Sequence, residues 1–412
     1  MLLNYHKELN MENQNRVLLI PDAYSGNQSG AIVTQVAKKL LLENGNEVSI
    51  FSIDINESKI ENDGTKLFHR TAYNGLANWN EKKYRIEFTQ VLEQSNATVI
   101  FTLGSITNKN LCYLEIAKER GLKVISKIFM QDFFCTKVYA NNSEGPCTKC
   151  LDHNYLEAFK NKCIIEKPID YLKTANAILI RKRLGKILPL IDYVITSTDE
   201  QIGFYRKFGI PKEKCIKTPL YFDKQRLKNI VPQMGDYYVC IAQNRVEKGF
   251  QYLSKILSYC DTSINVIAAY NNSEQAKIAI ERNGFQQYID RGMLEIKFDL
   301  RWETGLAELV ANSRGVIIPS IWPTTTEFGL LEALGYKKPV FCFDVGIHHE
   351  KIMNGINGFV APIGDCKTMA MQLMKLKTDD QLYLTVSEKA GLLYKEMTDW
   401  NKWKMDLRHI GL

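Results

Sequence analysis

The sequence predicts an α/β protein built from two doubly wound domains. Short β-rich apolar runs alternate with longer segments of helical period along nearly the whole chain. The runs are continuously apolar, as strands buried on both faces of a parallel sheet are. They fall into two sets of five, enough for two open sheets covered by helices. At roughly 100–200 residues per domain, 412 residues hold two or three such units.

The first set reads Arg16–Pro21, Glu47–Ile53, Thr98–Gly104, Lys123–Phe129 and Tyr193–Thr198. The second reads Tyr237–Ala242, Ile264–Tyr270, Leu294–Asp299, Gly315–Ile321 and Pro339–Phe343. The join is expected near Thr218–Gln233, which holds Pro219, Pro232 and a polar run. This gives an N-terminal domain over 1–220, a C-terminal domain over 221–395 and a last helix over 396–412. That helix carries Trp400 and Trp403 among charges, so it is expected to dock rather than fray.

Composition excludes several classes. Hydrophobic residues at 45% and charged residues at 24% are a globular balance, not that of a disordered chain. Eleven Pro and 25 Gly exclude a collagen-like protein. No run of about 18 apolar residues is present for a membrane span. The start is too polar to read as a signal peptide, so a cytoplasmic protein is expected. Ten cysteines are too sparse for a disulfide scaffold. The net charge of +7 is uneven: Lys160–Lys186 holds eight Lys/Arg against Glu166 and Asp170. This segment is either a solvated helix or a surface for an anionic partner such as lipid phosphate, at the inner face of the plasma membrane. Nucleic acid is not an expected partner, since the rest of the chain is near neutral and lacks a nucleic-acid motif.

Three segments carry candidate chemistry. After the first strand, Gly26 and Gly30 flank a turn before a helix, a place where backbone N–H groups can approach a phosphate or sugar. A plain strand-to-helix turn explains them equally well. After the sixth strand, Arg245, Lys248 and Gly249 precede a helix, where two cations would hold a diphosphate. The third segment spans 315–362. Its helix turns Leu330, Leu331 and Leu334 inward, which leaves Glu332 off the apolar face and free to bond a ligand. Thr324-x-x-Glu327 reads as a capping box. His348 and His349 either line a pocket or are solvated loop residues.

Cys135, Cys147, Cys150 and Cys163 lie in a polar insert at about 130–165. Cys147-x-x-Cys150 has metal-ligand spacing, and four thiolates would suit a structural zinc, with His153 as a substitute ligand. Free thiols packed under a loop are the alternative.

The third segment resembles the retaining glycosyltransferases of family 4. The shared residues are Pro319–Ser320, Phe328–Gly329, Glu332–Ala333, Pro339–Val340, Asn354–Gly355 and Gly358–Phe359, with Glu247-Lys248-Gly249 upstream. The resemblance implies two facing Rossmann-like domains of the B-type glycosyltransferase fold. It implies a last helix that crosses back to the N-terminal domain, and a subgroup with a cysteine-bearing insert. It implies a nucleotide diphosphate sugar as donor, with a UDP-sugar expected, and no obligatory cofactor. The acceptor would be a hydroxyl of a glycan, a lipid-linked sugar or a protein, as in polysaccharide biosynthesis. Arg245 and Lys248 would neutralise the diphosphate, helped by N–H groups at Gly329 and Leu330. Glu332 would hold the ribose, and Glu327 would be the catalytic contact to the donor sugar.

The chain departs from that pattern at three places. The family's first Glu, eight positions before Glu332, is Thr324 here, so Thr324 is a further donor-side candidate. Its Arg five places before the Lys is Gln243. Its His-Asp before the first cysteine is Gln131–Asp132. These changes motivate a second reading, a catalytically weak subunit that supports an active partner. A sugar-nucleotide epimerase has a similar fold but would carry more carboxylates near the cleft. A dehydrogenase is disfavoured, because the first glycine turn lacks GxGxxG.

Overall fold

The apolar runs form strands of two separate, mostly parallel sheets, all of them central except the edge strand at Leu294–Lys297. The computed structural model describes residues 15–26, 28–72, 81–107, 109–142, 145–241, 245–270, 272–325 and 327–412. Ala242 and Gln243 lie outside them.

The first part of the chain gives β1 (Arg16–Ile20), β2 (Glu47–Ser52), β3 (Lys59–Ile60), β4 (Lys66–His69), β5 (Val99–Gly104) and β6 (Lys123–Ile128). A hairpin of β7 (Asn141–Asn142) and β8 (Gly145–Pro146) follows, then β9 (Tyr193–Thr196) and β10 (Cys215–Lys217). The sheet order is β10-β9-β6-β5-β1-β2-β4-β3, parallel except for β3 against β4. Leu18, Ile20, Ile100 and Val124 are fully buried in one core with Phe88 and Tyr113. Each such side chain contributes about 1.5–3 kcal/mol on leaving water.

The second sheet has β11 (Tyr238–Ile241), β12 (Val266–Ala269), β13 (Leu294–Lys297), β14 (Gly315–Ile318), β15 (Val340–Phe343) and β16 (Phe359–Ala361). Its order is β13-β12-β11-β14-β15-β16, parallel throughout. Two sheets of eight and six strands replace the expected two of five. The additional strands β3, β4, β10 and β16 are two to four residues long. A run that short cannot establish a period, so pattern alone does not find it.

The chain divides into two compact units, 1–140, 147–222 and 399–412 in one, 141–146 and 223–398 in the other. The last helix, Trp400–His409, therefore belongs with the first sheet. Asp399 caps it by accepting from the N–H groups of Asn401 and Lys402. Trp403 is fully buried and meets the Tyr221 ring edge-on, centroids 5.5 Å apart. Asn44 donates to the carbonyls of Lys404 and Leu412, and Lys123 donates to that of Ile410. Trp400 only touches the rim, donating its indole N–H to Glu43 over 2.8 Å.

This anchoring predicts unequal roles for the two indoles. Trp403→Ala should cost about 3–5 kcal/mol of stability for the first unit, as a large buried side chain lost to a cavity. Trp400→Ala should cost under about 1.5 kcal/mol, the worth of one hydrogen bond. Denaturant titration checks this, and equal losses would contradict the buried anchor.

Candidate functional site

In the second sheet β11 lies between β12 and β14, so the chain reverses its winding there. Ligands of doubly wound sheets bind beyond the strand carboxyl ends at such a switch point. The loops leaving β11 and β14 are pressed together at this place. After β11, a short turn at Val246–Lys248 closes on Gly249 at φ +69°. A Cβ on Gly249 would stand 1.7 Å from the Pro319 carbonyl oxygen, so only glycine fits. Ile321 donates its N–H to the Glu247 carbonyl over 3.0 Å.

The contact delivers Lys248 to Glu327. The Lys248 Nζ is 2.8 Å from Glu327 Oε1, and Ser320 Oγ donates to the same oxygen over 3.0 Å. His348 Nε2 lies 3.2 Å from Oε2, off the line of a hydrogen bond. His348 is fully buried, and the Lys248 ammonium also lies 5.6 Å from the Trp322 ring centre. Burial of Glu327 opposes its ionisation. The Lys248 ammonium and His348 imidazole outweigh it and hold the carboxyl well below the ordinary range.

Glu327 is not part of a capping box. It is itself the N-cap of the helix Phe328–Gly335, in extended conformation, and its side chain makes no capping bond. The carboxylate turns to Lys248 instead, because a charge-assisted bond to an ammonium is stronger than a bond to a neutral backbone N–H. The side chain therefore leaves the first-turn N–H groups of Gly329 and Leu330 uncapped. Thr324 is fully buried and lies behind this turn. Its carbonyl accepts from Ile347 over 2.8 Å, and a Cβ on Gly346 would come within 2.4 Å of that oxygen.

Glu332 is not free. Only 5% exposed, it accepts from Arg226 Nε over 2.6 Å. The guanidinium lies 5.6 Å from the Trp302 ring centre and 5.7 Å from that of Phe328, and the Trp302 indole donates to the Arg226 carbonyl. Burial pushes the Glu332 carboxyl up and Arg226 pulls it back, with burial the larger. Helix periodicity sets Glu332 apart from the apolar stripe, but the segment holding Arg226 covers that side and buries it.

Arg245 turns to Glu247, 2.5 Å away, and lines a cavity of about 180 Å³ with Gln251 and Arg282. It thus faces different surroundings from Lys248, with which it was expected to share a diphosphate. His349 is exposed and pairs with Asp344 at 2.7 Å.

The glycine turn of the first unit is held from below. Asp54 Oδ2 accepts the N–H groups of Tyr24 and Ser25, at 2.8 and 2.7 Å, so these donors are already used. Gly26 has φ +89°, whereas Gly30 sits in the first helical turn with only ordinary contacts. The stronger constraint is one that sequence reasoning missed. A Cβ on Gly104 would stand 2.0 Å from the Asp22 carboxylate, which pairs with the buried Lys109 at 2.7 Å and accepts the Ser105 N–H. Asp132 is fully buried and accepts from Ser105 Oγ and from Thr107. The available signal was a glycine closing an apolar strand, with polar residues after it.

The expected zinc site is not formed. Among the described residues no group of three or more His, Cys, Asp or Glu side chains is arranged to hold a metal, and Cys135, Cys147, Cys150 and Cys163 are free thiols. Burial and the neighbouring Cys135, Cys163 and Cys147 sulfurs push the Cys150 thiol up to about 12. Other bonds order the insert: Arg181 donates to the Cys135 carbonyl, and Cys147 N–H to that of Ala140.

No protein-family model matches the chain, and no curated protein matches it. Solved structures do match. HepE of Anabaena, in complex with UDP and glucose, has 12% identity and a TM-score of 0.63, over 96% of this chain and 98% of that one. Sucrose-phosphate synthase of Thermosynechococcus elongatus has 13% identity and a TM-score of 0.64, over 96% and 97%. A glycosyltransferase of Rickettsia africae has 15% identity and a TM-score of 0.62, over 97% and 98%. The chain has the two-Rossmann-domain architecture of the B-type glycosyltransferase fold.

The Arg226–Glu332 pair makes a prediction about pH. A carboxyl raised on folding contributes stability that is present below its unfolded value, near 4.3, and lost as pH rises through the folded value. Arg226 limits that loss. Arg226→Met should therefore destabilise the second unit at neutral pH by about 3–5 kcal/mol, as breaking a buried pair does. The deficit should shrink toward pH 4, and adding Glu332→Gln should flatten the dependence. Melting curves across pH check this, and a deficit that does not vary with pH would contradict it.

Proposed function

We propose that the chain is a retaining glycosyltransferase that moves a sugar from a nucleotide diphosphate sugar to a hydroxyl of a glycan, a lipid-linked sugar or a protein. The observation that carries this reading is the Lys248–Glu327 pair, its ammonium half-buried, at the switch point of the second sheet, beside a helix start that its own N-cap side chain leaves open. An ammonium and uncapped N–H groups are what a departing diphosphate needs. The complex of UDP and glucose in HepE supports a UDP-sugar as donor. No cofactor beyond that donor enters the reading.

Lys248 would bind the diphosphate, with the N–H groups of Gly329 and Leu330 beside it. Glu327 would touch the donor sugar while holding the ammonium in place. Glu332 would accept from the ribose through the oxygen that Arg226 does not take, and Thr324 would shape the turn behind the sugar. In the front-face mechanism implied by the family-4 resemblance, the leaving phosphate oxygen takes the acceptor proton, so no strong protein base is required. Arg245 would reach the diphosphate only by leaving Glu247. The reading places the reaction in the cytoplasm.

The second reading, a weakly active supporting subunit, draws on Gln131, whose amide is engaged by Gln201 at 3.3 Å. Nucleotide binding is common to both readings, and turnover separates them.

Melting temperature should rise with UDP or a UDP-sugar, since a ligand of the folded state alone stabilises it. Radiolabelled donor should be hydrolysed slowly without acceptor. Lys248→Ala should weaken UDP binding by about tenfold or more, one charge-assisted bond, and uridine binding far less. Calorimetry with both ligands decides: equal losses refute the phosphate role, and UDP binding without donor breakdown favours the supporting subunit.

A further inference from the structure

The long helix Asp170–Ile187 is apolar on both faces. Its inner face, with Thr174, Ala177, Ile178, Leu184 and Ile187, is buried in the first unit. The outer face is not needed for that core, yet Leu172 is 69% exposed and Leu179 54%. At about 100° per residue, Leu172, Leu179, Lys182 and Lys186 fall on one stripe. Ile169 and Tyr171, also more than half exposed, extend it at the helix start. The Tyr171 ring stacks on Phe159 with centroids 6.2 Å apart, which brings the helix Leu156–Lys160 alongside. Leu156, 66% exposed, joins the same patch.

The charge of this region is cationic after internal bonds are removed. Arg181 is buried, and Arg183 pairs with Glu81 and Glu115. Six lysines, 160, 162, 167, 173, 182 and 186, remain exposed. Lys160 pairs with Glu157 and Lys173 with Asp170. Lys162, Lys167, Lys182 and Lys186 make no ion pair among the described residues.

We propose that this face docks on an anionic lipid bilayer, its leucines entering the interface and its lysines meeting the headgroups. Exposed Leu, Ile and Tyr interleaved with lysines of one sign match a surface with an apolar interior and a negative rim. A second copy of the chain would bring two cationic patches together, which repel. Nucleic acid would use the lysines but leave the leucines in water. The inference stands apart from the nucleotide reading, which concerns the other unit. Among the described residues no helix is long and apolar enough to cross a membrane, so attachment would be peripheral.

The test is flotation of the full chain with vesicles of phosphatidylcholine, alone or mixed with phosphatidylglycerol. Binding should require phosphatidylglycerol and fade with salt, each lysine near the surface counting for about fivefold. Leu172→Ser with Leu179→Ser should lower partitioning about tenfold or more, as should Lys162→Glu with Lys167→Glu. Both pairs are exposed, so melting temperature and its response to UDP should stay as in the parent chain. Three results would each overturn the proposal: no binding at low salt, binding unchanged in both variants, or leucine variants that only dissolve a dimer.

Discussion

The second unit is organised around one partly buried ion pair. Isolating the buried Glu327 carboxylate alone from water would cost several kcal/mol, and the half-buried Lys248 ammonium offsets that cost. Their meeting requires the loop after β11 to lie flat on the loop after β14. That in turn requires a residue without a Cβ at Gly249, where the Pro319 carbonyl already occupies the space. Gly346 meets the same demand against Thr324. The two glycines are steric conditions for a charge contact. Such a preorganised charge can act on a ligand without rearranging first.

Two carboxylates five positions apart on one turn and helix are pushed in opposite directions. Glu327 has a close ammonium and an imidazole, and its proton is driven off. Glu332 has one guanidinium against deep burial, and its carboxyl rises. Environments that separate two similar groups assign them different work. Glu327 is held charged beside a cation, while Glu332 depends on Arg226 to offset its burial. A change at Trp302 or Phe328, which flank the guanidinium, would act on Glu332 without touching it.

The sequence shows ten of the strands because each lies in an apolar run, mostly buried, that leaves a local signature. It also shows Lys248, Glu327 and Glu332 as separate candidates. It could not show which met. Arg226 is far in sequence from Glu332, and no period or spacing connects them. The capping box failed for a related reason: local pattern favours Glu327 bonding back to its own turn, and a distant ammonium wins. The basic run from Lys160 to Lys186 was legible as charge. Only the fold shows that two arginines are consumed inside and that leucines take the outer stripe. The cysteine spacing had no comparable support, since Cys147-x-x-Cys150 fixes one pair but not where the outer two fall.

The first unit treats its carboxylates in the opposite way. Asp22, Asp54 and Asp132 all stand near the carboxyl ends of central strands, and each accepts backbone N–H from the loop after a neighbouring strand. Lys109 is likewise spent on Asp22 and on the Ser105 carbonyl. Such bonds make loops rigid but leave little charge to offer. In the second unit the corresponding ends hold an ammonium, a carboxylate and an imidazole within one cluster. Under the proposed reading, a site for a charged donor needs fixed charge, whereas a neutral hydroxyl acceptor would need only shape and a few hydrogen bonds. The same fold, used twice in one chain, therefore carries its electrostatics in the second sheet and its rigid loop geometry in the first.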